Sequence, residues 1–440
     1  MKTGRPYRKY YRILFKTASA MSVGSGESGE TDRDVIRDSR NVPYVPGTTL
    51  AGIYRSLFSE GGVFHEAGKE KAIERCFGRD IKGESSAPGT ESRVLVYDAA
   101  LKDVKKALTG RRDCVALDRW KTAGDGSKFD FEIVEPGTAF ITYFELDTDK
   151  DSPDDVIIFD SIASAWKSGN IRIGSKTMRG LGSIEVSDIS IDTADFDLTD
   201  PEGLEAWLNF DMYGDSGWKE ADIKEAQVKG ITTISLKLKQ AGPLTVRRYT
   251  TEVKKTEKDT VPDYAQLTSR IEGEAIPVIP GTTWTGAFRA HINELVDDKG
   301  LIERYFGFVN GKGKKEASKS KIHFSESYFD KGSFTYKQLT RNAIDRFTGG
   351  TIGTALFTER TCYNGTTDLK ISFPENMDSK LKKAFIFSIC DLNEGFLSIG
   401  GLTAVGHGIF KVDTVSVNGK ALEFGTSEEL AEALGKELSL

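Results

Sequence analysis

Val45-Pro46-Gly47-Thr48-Thr49-Leu50-Ala51-Gly52-Ile53-Tyr54-Arg55 is written a second time as Ile279-Pro280-Gly281-Thr282-Thr283-Trp284-Thr285-Gly286-Ala287-Phe288-Arg289, 234 residues later. Working outward from this stretch, the neighbouring motifs recur in the same order. Ile73-Glu74-Arg75-Cys76-Phe77-Gly78 returns as Ile302-Glu303-Arg304-Tyr305-Phe306-Gly307 at an offset of 229. Ala116-Leu117-Asp118-Arg119 returns as Ala343-Ile344-Asp345-Arg346 at 227, and the glycine-rich run Ile173-Gly174 to Gly182 returns as Ile399-Gly400 to Gly408 at 226. Leu204 and Leu208 of an acidic helix match Leu430 and Leu434, again at 226. Four ordered matches at nearly constant spacing mark a tandem duplication. The first copy spans residues 1–228 and the second 229–440, each with an acidic helical extension at its end.

Each copy alternates strand and helix signals. A period-two strand (11–18 or 231–239) is followed by a loop, then by the Pro-Gly-Thr break and a helix from about Thr49 or Thr283. Later strands fall near 93–97, 138–146, 322–325 and 369–373, with helices near 154–167 and 379–393. The expected class is α+β, as two tandem ferredoxin-like domains with insertions.

Composition limits the function. The 440-residue chain, with 38% hydrophobic and 29% charged residues, lacks an apolar run of membrane-spanning length and a signal-peptide pattern, so a soluble, cytoplasmic protein is expected. Cys76, Cys114, Cys362 and Cys390 lie far apart, which disfavours a disulfide framework or a zinc ribbon. A net charge of −6 argues mildly against nucleic acid, yet charge is segregated. Lys2, Arg5, Arg8, Lys9, Arg12 and Lys16 open the chain, Lys312, Lys314, Lys315, Lys319 and Lys321 cluster later, and acid concentrates from Asp188 to Glu225. Basic grooves or merely solvated faces would both produce this pattern.

Three motifs carry candidate chemistry. Thr48 and Thr49, with Thr282 and Thr283, sit at helix starts whose backbone N–H groups can cradle phosphate, with Arg55 or Arg289 two turns along. An ordinary helix start with a surface arginine is the plainer alternative. In Gly174-Ser175-Lys176-Thr177-Met178-Arg179-Gly180-Leu181-Gly182, Gly180 and Gly182 permit close approach of a phosphate and Lys176 and Arg179 add charge. The second copy keeps Gly406 and Gly408 but has Leu402 and Val405 in place of the cations, so its loop should hold phosphate less strongly. Asp118, Arg119, Lys121 and Thr122, and in the second copy Asp345, Arg346, Phe347 and Thr348, introduce the glycine-rich tip of a hairpin that could wedge between bases or do nothing of the kind. His65, His291, His323 and His407 show no paired spacing, which disfavours a histidine-based ribonuclease.

Taken in this order, with Asp32-Arg33-Asp34-Val35-Ile36-Arg37-Asp38 leading into Pro43-Tyr44-Val45-Pro46-Gly47, these motifs resemble the RAMP superfamily. Specifically, they resemble the backbone subunits of type III CRISPR RNA-guided effector complexes, and the resemblance covers nearly all of both copies. The resemblance implies an RNA-recognition-like core, a palm that binds the guide backbone, and a thumb hairpin that splays target bases. It implies as partners a guide RNA, a complementary target RNA, and other RAMP-type and small helical subunits. It also implies target cleavage by an aspartate in the loop after the first strand, working with a divalent metal such as Mg²⁺. That position matches Asp32, with Asp263 as the counterpart three residues farther from its Pro-Gly turn. By the residues alone, Asp34 and Asp38 are nearly equal candidates, and a merely solvated loop is the plainer reading. The reaction needs little machinery, because RNA supplies its own 2′-hydroxyl nucleophile once held in line. A non-catalytic guide-binding scaffold of the same complex is the alternative.

Overall fold

The computed structural model describes residues 5–26, 29–59, 62–65, 68–78, 89–104, 108–117, 123–149, 151–226, 230–249, 261–309 and 317–440. Two compact units divide the chain. The first comprises Met1–Arg111, Phe131–Ser175 and Gly182–Lys229; the second comprises Arg112–Asp130, Lys176–Leu181 and Gly230–Leu440. Two pieces of the first sequence repeat, a hairpin and the tip of a glycine-rich loop, thus count with the second unit. Within that unit the buried Arg112 guanidinium donates to Ser269 Oγ at 2.6 Å and lies 3.5 Å from Glu326 Oε2. A Cβ on Gly281 would lie 2.3 Å from the Arg179 carbonyl, so only glycine lets these segments meet.

Along the first sequence repeat the elements run β1 (Tyr7–Thr17), α1 (Gly47–Ser56), α2 (Glu70–Phe77), β2 (Val94–Val96), β3 (Ala100–Leu101), β4 (Thr109–Leu117), β5 (Ala123–Val134), β6 (Ala139–Thr148), α3 (Pro153–Lys167), β7 (Ile184–Asp197), α4 (Pro201–Leu208) and β8 (Lys219–Glu220). The second unit continues with β9 (Ile231–Gln240), β10 (Arg247–Tyr249), β11 (Tyr264–Gln266), β12 (Thr268–Ile271), β13 (Glu274–Ile279), α5 (Gly281–Leu295), α6 (Lys299–Phe306), β14 (Phe308–Val309) and β15 (Ala317–Ser318). It ends with β16 (His323–Phe324), β17 (Ser327–Tyr328), β18 (Thr335–Ile344), β19 (Thr351–Tyr363), β20 (Thr366–Pro374), α7 (Ser379–Glu394), β21 (Phe410–Val417), β22 (Lys420–Leu422) and α8 (Ser427–Glu437). This is an α+β architecture, as its alternating strand and helix signals lead one to expect. The main sheets have parallel plans: β2-β6-β1-β7-β8 in the first unit and β16-β20-β9-β21-β22 in the second.

Strand periodicity explains both cores. Tyr11, Ile13 and Phe15 of β1 point inward against Phe140 and Phe144 of β6, and α1 and α3 cover them with Leu50, Tyr54, Phe159 and Trp166. The Trp166 indole N–H donates to Tyr54 Oη at 3.0 Å. The second core repeats the plan with Ile234, Leu236 and Leu238 under Trp284, Phe288 and Phe385. Helix α3 opens on Pro153 with Asp154 and Asp155 in its first turn, which suits a helix start. Asp155 is fully buried and holds Arg75 and Arg93 at 2.7 and 2.6 Å.

Three expectations change in the structure. Helices α1 and α5 begin at Gly47 and Gly281, two residues earlier than expected, with prolines at the cap positions and no side-chain cap. The described cations of the basic N-terminal run are paired with acids: Arg5 and Arg8 with Asp147, Lys9 with Asp160, Arg12 with Asp192 and Lys16 with Asp188. Sheet pairing brings distant acids beside these cations, which linear spacing does not reveal; Lys2, Lys312, Lys314 and Lys315 lie outside the described residues. Finally, Leu430 and Leu434 of α8 are fully buried in the second core, whereas their sequence matches Leu204 and Leu208 on α4 are exposed. Helix α4 instead lays Trp207 on the outer face of β1, where its indole N–H donates to Tyr10 Oη at 2.9 Å.

Candidate nucleic-acid interface

The loop after β1 distinguishes its three aspartates by the work each side chain does. Asp34 accepts from Gly29 N (2.7 Å), Glu30 N (3.2 Å), Thr31 N (2.9 Å) and Thr31 Oγ1 (2.7 Å). These bonds, the Thr31 hydroxyl foremost, hold its pKa below the ordinary value. Asp38 accepts from Val42 N and Arg40 N, each at 2.9 Å, and pairs with the Arg40 guanidinium; the Val42 amide is the chief cause of its lowered pKa. Asp34 and Asp38 are therefore loop-building residues. Asp32 projects from the same loop as an exposed side chain.

A glutamate that the sequence reading did not single out fixes this loop. Glu132 of β5 donates its amide to Arg33 O at 2.9 Å, and its carboxylate accepts from Val35 N at 3.0 Å and pairs with Arg37. The second unit has a related anchor in Glu359 of β19, nearly fully buried, which pairs with Arg247 at 3.1 Å and Arg341 at 3.7 Å. Both glutamates lie fourteen residues after a hairpin aspartate, Asp118 or Asp345, and that common spacing was the available signal. Asp263 lies beside β19 too, but it is partly committed: its amide donates to Thr358 O and one carboxylate oxygen accepts from Thr358 N, both at 2.8 Å.

Not every expected phosphate contact has a free group to offer. Gly47 N donates to Asp98 Oδ1 at 2.7 Å, so a carboxylate of the chain already stands at that helix start. Thr49 N and Thr283 N turn back to Pro46 O and Pro280 O, both at 2.9 Å. Thr48, Gly52 and Arg55, at helical spacing, share one face of α1 and line a cavity of about 320 Å³ with Phe77, Ser92 and Val96. Thr282 is half-buried at the start of α5.

The two glycine-rich loops have the same backbone. Lys176 and Leu402 are both left-handed, at φ 55° and 58°, ahead of one-turn 3₁₀ segments, Thr177–Arg179 and Thr403–Val405. A Cβ at Gly182 or Gly408 would lie within 1.9 Å of a carbonyl oxygen, that of Ile173 or Ile399 respectively, so the fold itself requires these glycines. The amides of Gly180, Gly182, Gly406 and Gly408 donate to Thr177 O, Ala20 O, Thr403 O and Pro243 O. What remains for RNA in the first loop is side-chain charge. Arg179 is exposed, and the Lys176 ammonium lies 4.6 Å from the Phe129 ring centroid.

Burial chiefly lowers the pKa of Arg289; the charge of Glu303 opposes that shift and the charge of Arg179, close by, adds to it. Among the described residues neither forms an ion pair with a carboxylate, so both guanidiniums keep donors to offer an anion, with the Glu303 charge nearby. Only the fold brings these two arginines together.

In the second hairpin β18 and β19 pair from Thr335↔Tyr363 to Ile344↔Thr351. Asp345 shapes the tip by accepting from Thr348 N (2.7 Å) and Phe347 N (2.8 Å), which lowers its pKa, the Thr348 amide most. Arg346 is exposed and Phe347 projects with 90% of its surface in solvent. Asp118, Arg119, Lys121 and Thr122 of the first hairpin lie outside the described residues.

A family model described as the RAMP superfamily matches residues 14–185 and 263–411, most of both repeats. The chain belongs to the RAMP superfamily. No curated protein matches it. Membership in the RAMP superfamily brings a CRISPR-associated, RNA-binding role, and the paired matches make this a tandem RAMP protein. No helix among the described residues is long and apolar enough to cross a membrane.

Proposed function

We propose that this tandem RAMP protein is a backbone subunit of a type III CRISPR effector complex in the cytoplasm, binding guide RNA and cutting complementary target RNA. The reading rests on one observation above others: the superfamily match spans both repeats and takes in the loop after β1, on which Asp32 is exposed. The strand order and the β-α-β-β-α-β succession of each unit fit a ferredoxin-like core, and the β18–β19 hairpin with Phe347 at its tip fits a thumb that unstacks target bases. Guide RNA, target RNA, and other RAMP-type and small helical subunits are the proposed partners.

Arg55, Lys176, Arg179 and Arg289 grip the RNA backbone, and the hairpin splays one nucleotide so that its 2′-hydroxyl faces the adjacent phosphate in line. Asp32, held by the Glu132-anchored loop, accepts a hydrogen bond from that hydroxyl and assists its deprotonation. No cluster of three His, Cys, Asp or Glu that could hold a metal occurs among the described residues. An exposed carboxylate such as that of Asp32 fits Mg²⁺ shared with RNA phosphates, since that ion keeps several waters and takes only one or two carboxylates. When bound at Asp32, or at Asp263 in the second repeat, it would neutralise charge developing on the phosphate.

A scaffold role is the second reading, favoured for the second repeat by the Thr358 amide on the Asp263 carboxylate and by Leu402 and Val405 in its loop. The test is cleavage of a guide-complementary RNA by the assembled complex, with Asp32→Ala and Asp263→Ala made separately. Asp32→Ala is expected to remove one cut and leave RNA binding intact. If both variants cut at every wild-type position, the nuclease assignment is wrong; binding without any cutting by the wild type establishes the scaffold.

A further inference from the structure

The acidic extension after the first repeat builds a face unlike the RNA-binding surfaces proposed above. Residues 188–225 contain twelve Asp or Glu against two Lys, a charge that repels a phosphate backbone. This segment also delivers aromatic side chains to the outer face of the first sheet. Tyr10, Ala194 and Phe196 form a small satellite core with Trp207, Phe210, Met212 and Trp218. Phe210 lies 5.2 Å from both the Tyr10 and Trp218 rings, centroid to centroid.

One side of this cluster already houses an arginine of the chain itself. The Arg12 guanidinium lies 5.0 Å from the Trp218 ring centroid, and donates to Asp192 Oδ2 at 3.0 Å and Gly214 O at 3.2 Å. An aromatic face plus carboxylate and carbonyl acceptors is a complete guanidinium site. On the other side of Phe210, a cavity of about 320 Å³ is lined by Tyr10, Tyr97, Glu145, Trp207, Leu208, Phe210 and Met212. Its wall has the same makeup, with aromatic rings around a single carboxylate and no basic residue. Burial first, and then the charge of Glu145, raises the pKa of both the Tyr10 and Tyr97 phenols, so both stay protonated beside that carboxylate. The exposed Leu208 forms part of the rim. In the second repeat the matching helix α8 instead buries Leu430 and Leu434 in the core.

We infer that this pocket is a docking site for an arginine side chain presented by a basic segment of a partner protein. The inference does not depend on the nuclease reading, because it concerns a different face and a different class of ligand. Charge complementarity selects the partner: the rings supply π faces, Glu145 the countercharge, and the surrounding acids steer a basic segment toward it while opposing RNA.

The test uses the full chain labelled with fluorotryptophan, the Trp207 resonance being assigned by Trp207→Phe among the five tryptophans. The probes are a short arginine-containing peptide, its glutamate counterpart and oligouridine. The Trp207 signal should move saturably with the arginine peptide alone, and Glu145→Gln should weaken that binding roughly tenfold. Leu208→Arg, placed on the exposed rim, should abolish the response by supplying a competing cation while leaving the unfolding midpoint unchanged. This variant keeps the question open to test if Glu145→Gln does not fold. No response to the arginine peptide, an equal response in Glu145→Gln, or a shift produced by oligouridine would overturn the assignment, the last identifying a base-stacking pocket.

Discussion

The amide of Glu132 donates to the carbonyl of Arg33 at 2.9 Å, tying the loop to β5 one residue after Asp32. The same glutamate accepts from Val35 N and pairs with Arg37, so one side chain supports the whole segment. Glu132→Ala should destabilise the protein by about 1–3 kcal/mol, the usual cost of stranding such partners. Hydrogen exchange of residues 33–37 should rise, and cleavage at the Asp32 position should fall with guide binding retained. Denaturant unfolding, amide exchange and a cleavage assay read these three outcomes separately.

The shared backbone of the glycine-rich loops predicts that their side chains can be exchanged. Lys176→Leu combined with Arg179→Val should weaken RNA binding and lower the salt dependence by about one phosphate contact per lost cation. Leu402→Lys combined with Val405→Arg should strengthen it. Because Arg179 and Val405 are exposed, surface changes of this kind should alter stability by only about 0.5 kcal/mol per site. Binding isotherms at several salt concentrations, with unfolding curves as the control, test both swaps.

His407 sits where the second glycine-rich loop meets β18, its Nε2 3.0 Å from Arg341. Burial first, then the Arg341 charge, lowers its pKa, with Glu359 opposing the shift. The unfolded chain therefore takes up this proton at higher pH than the folded one. Its stabilising contribution is full above the ordinary histidine value, about 6.5, and declines as pH falls below it toward the lowered folded value. Wild type should lose more unfolding midpoint than His407→Gln over that interval, which thermal melts across the pH range will measure.

Asp155 has no solvent exposure and serves two guanidiniums, Arg75 and Arg93, as well as Thr148 Oγ1 at 3.0 Å. Asp155→Ala should cost about 1–3 kcal/mol, because it removes the buried acceptor shared by Arg75, Arg93 and Thr148, although Arg93 keeps Asp149 at 3.4 Å. The position 226 residues later is Leu381, fully buried in the second core, so the two repeats meet the same packing demand by different chemistry. Chemical denaturation of Asp155→Ala checks the magnitude.

Much of the architecture was legible because it follows from local pattern. The alternation in β1 and β9, the Pro-Gly-Thr breaks and the glycine-rich runs each express a backbone rule that neighbouring residues satisfy by themselves. The site was less legible. Asp32, Asp34 and Asp38 are chemically identical in the sequence, and only the fold shows that Asp34 and Asp38 gather the amides of Gly29, Glu30, Thr31, Arg40 and Val42. Likewise the glycine amides expected to meet phosphate are already bonded within the fold.

Sequence by itself determined the duplication, the α+β class and the loss of loop cations in the second repeat, since each depends on residue order and spacing. Tertiary structure decided which groups remain available. It paired the N-terminal cations with Asp147, Asp160, Asp188 and Asp192, brought Arg179 beside Arg289, and turned α4 onto a sheet face while burying α8. Hydrogen bonding, ion pairing and burial join residues far apart in the chain, so their outcome is fixed only when the chain has folded.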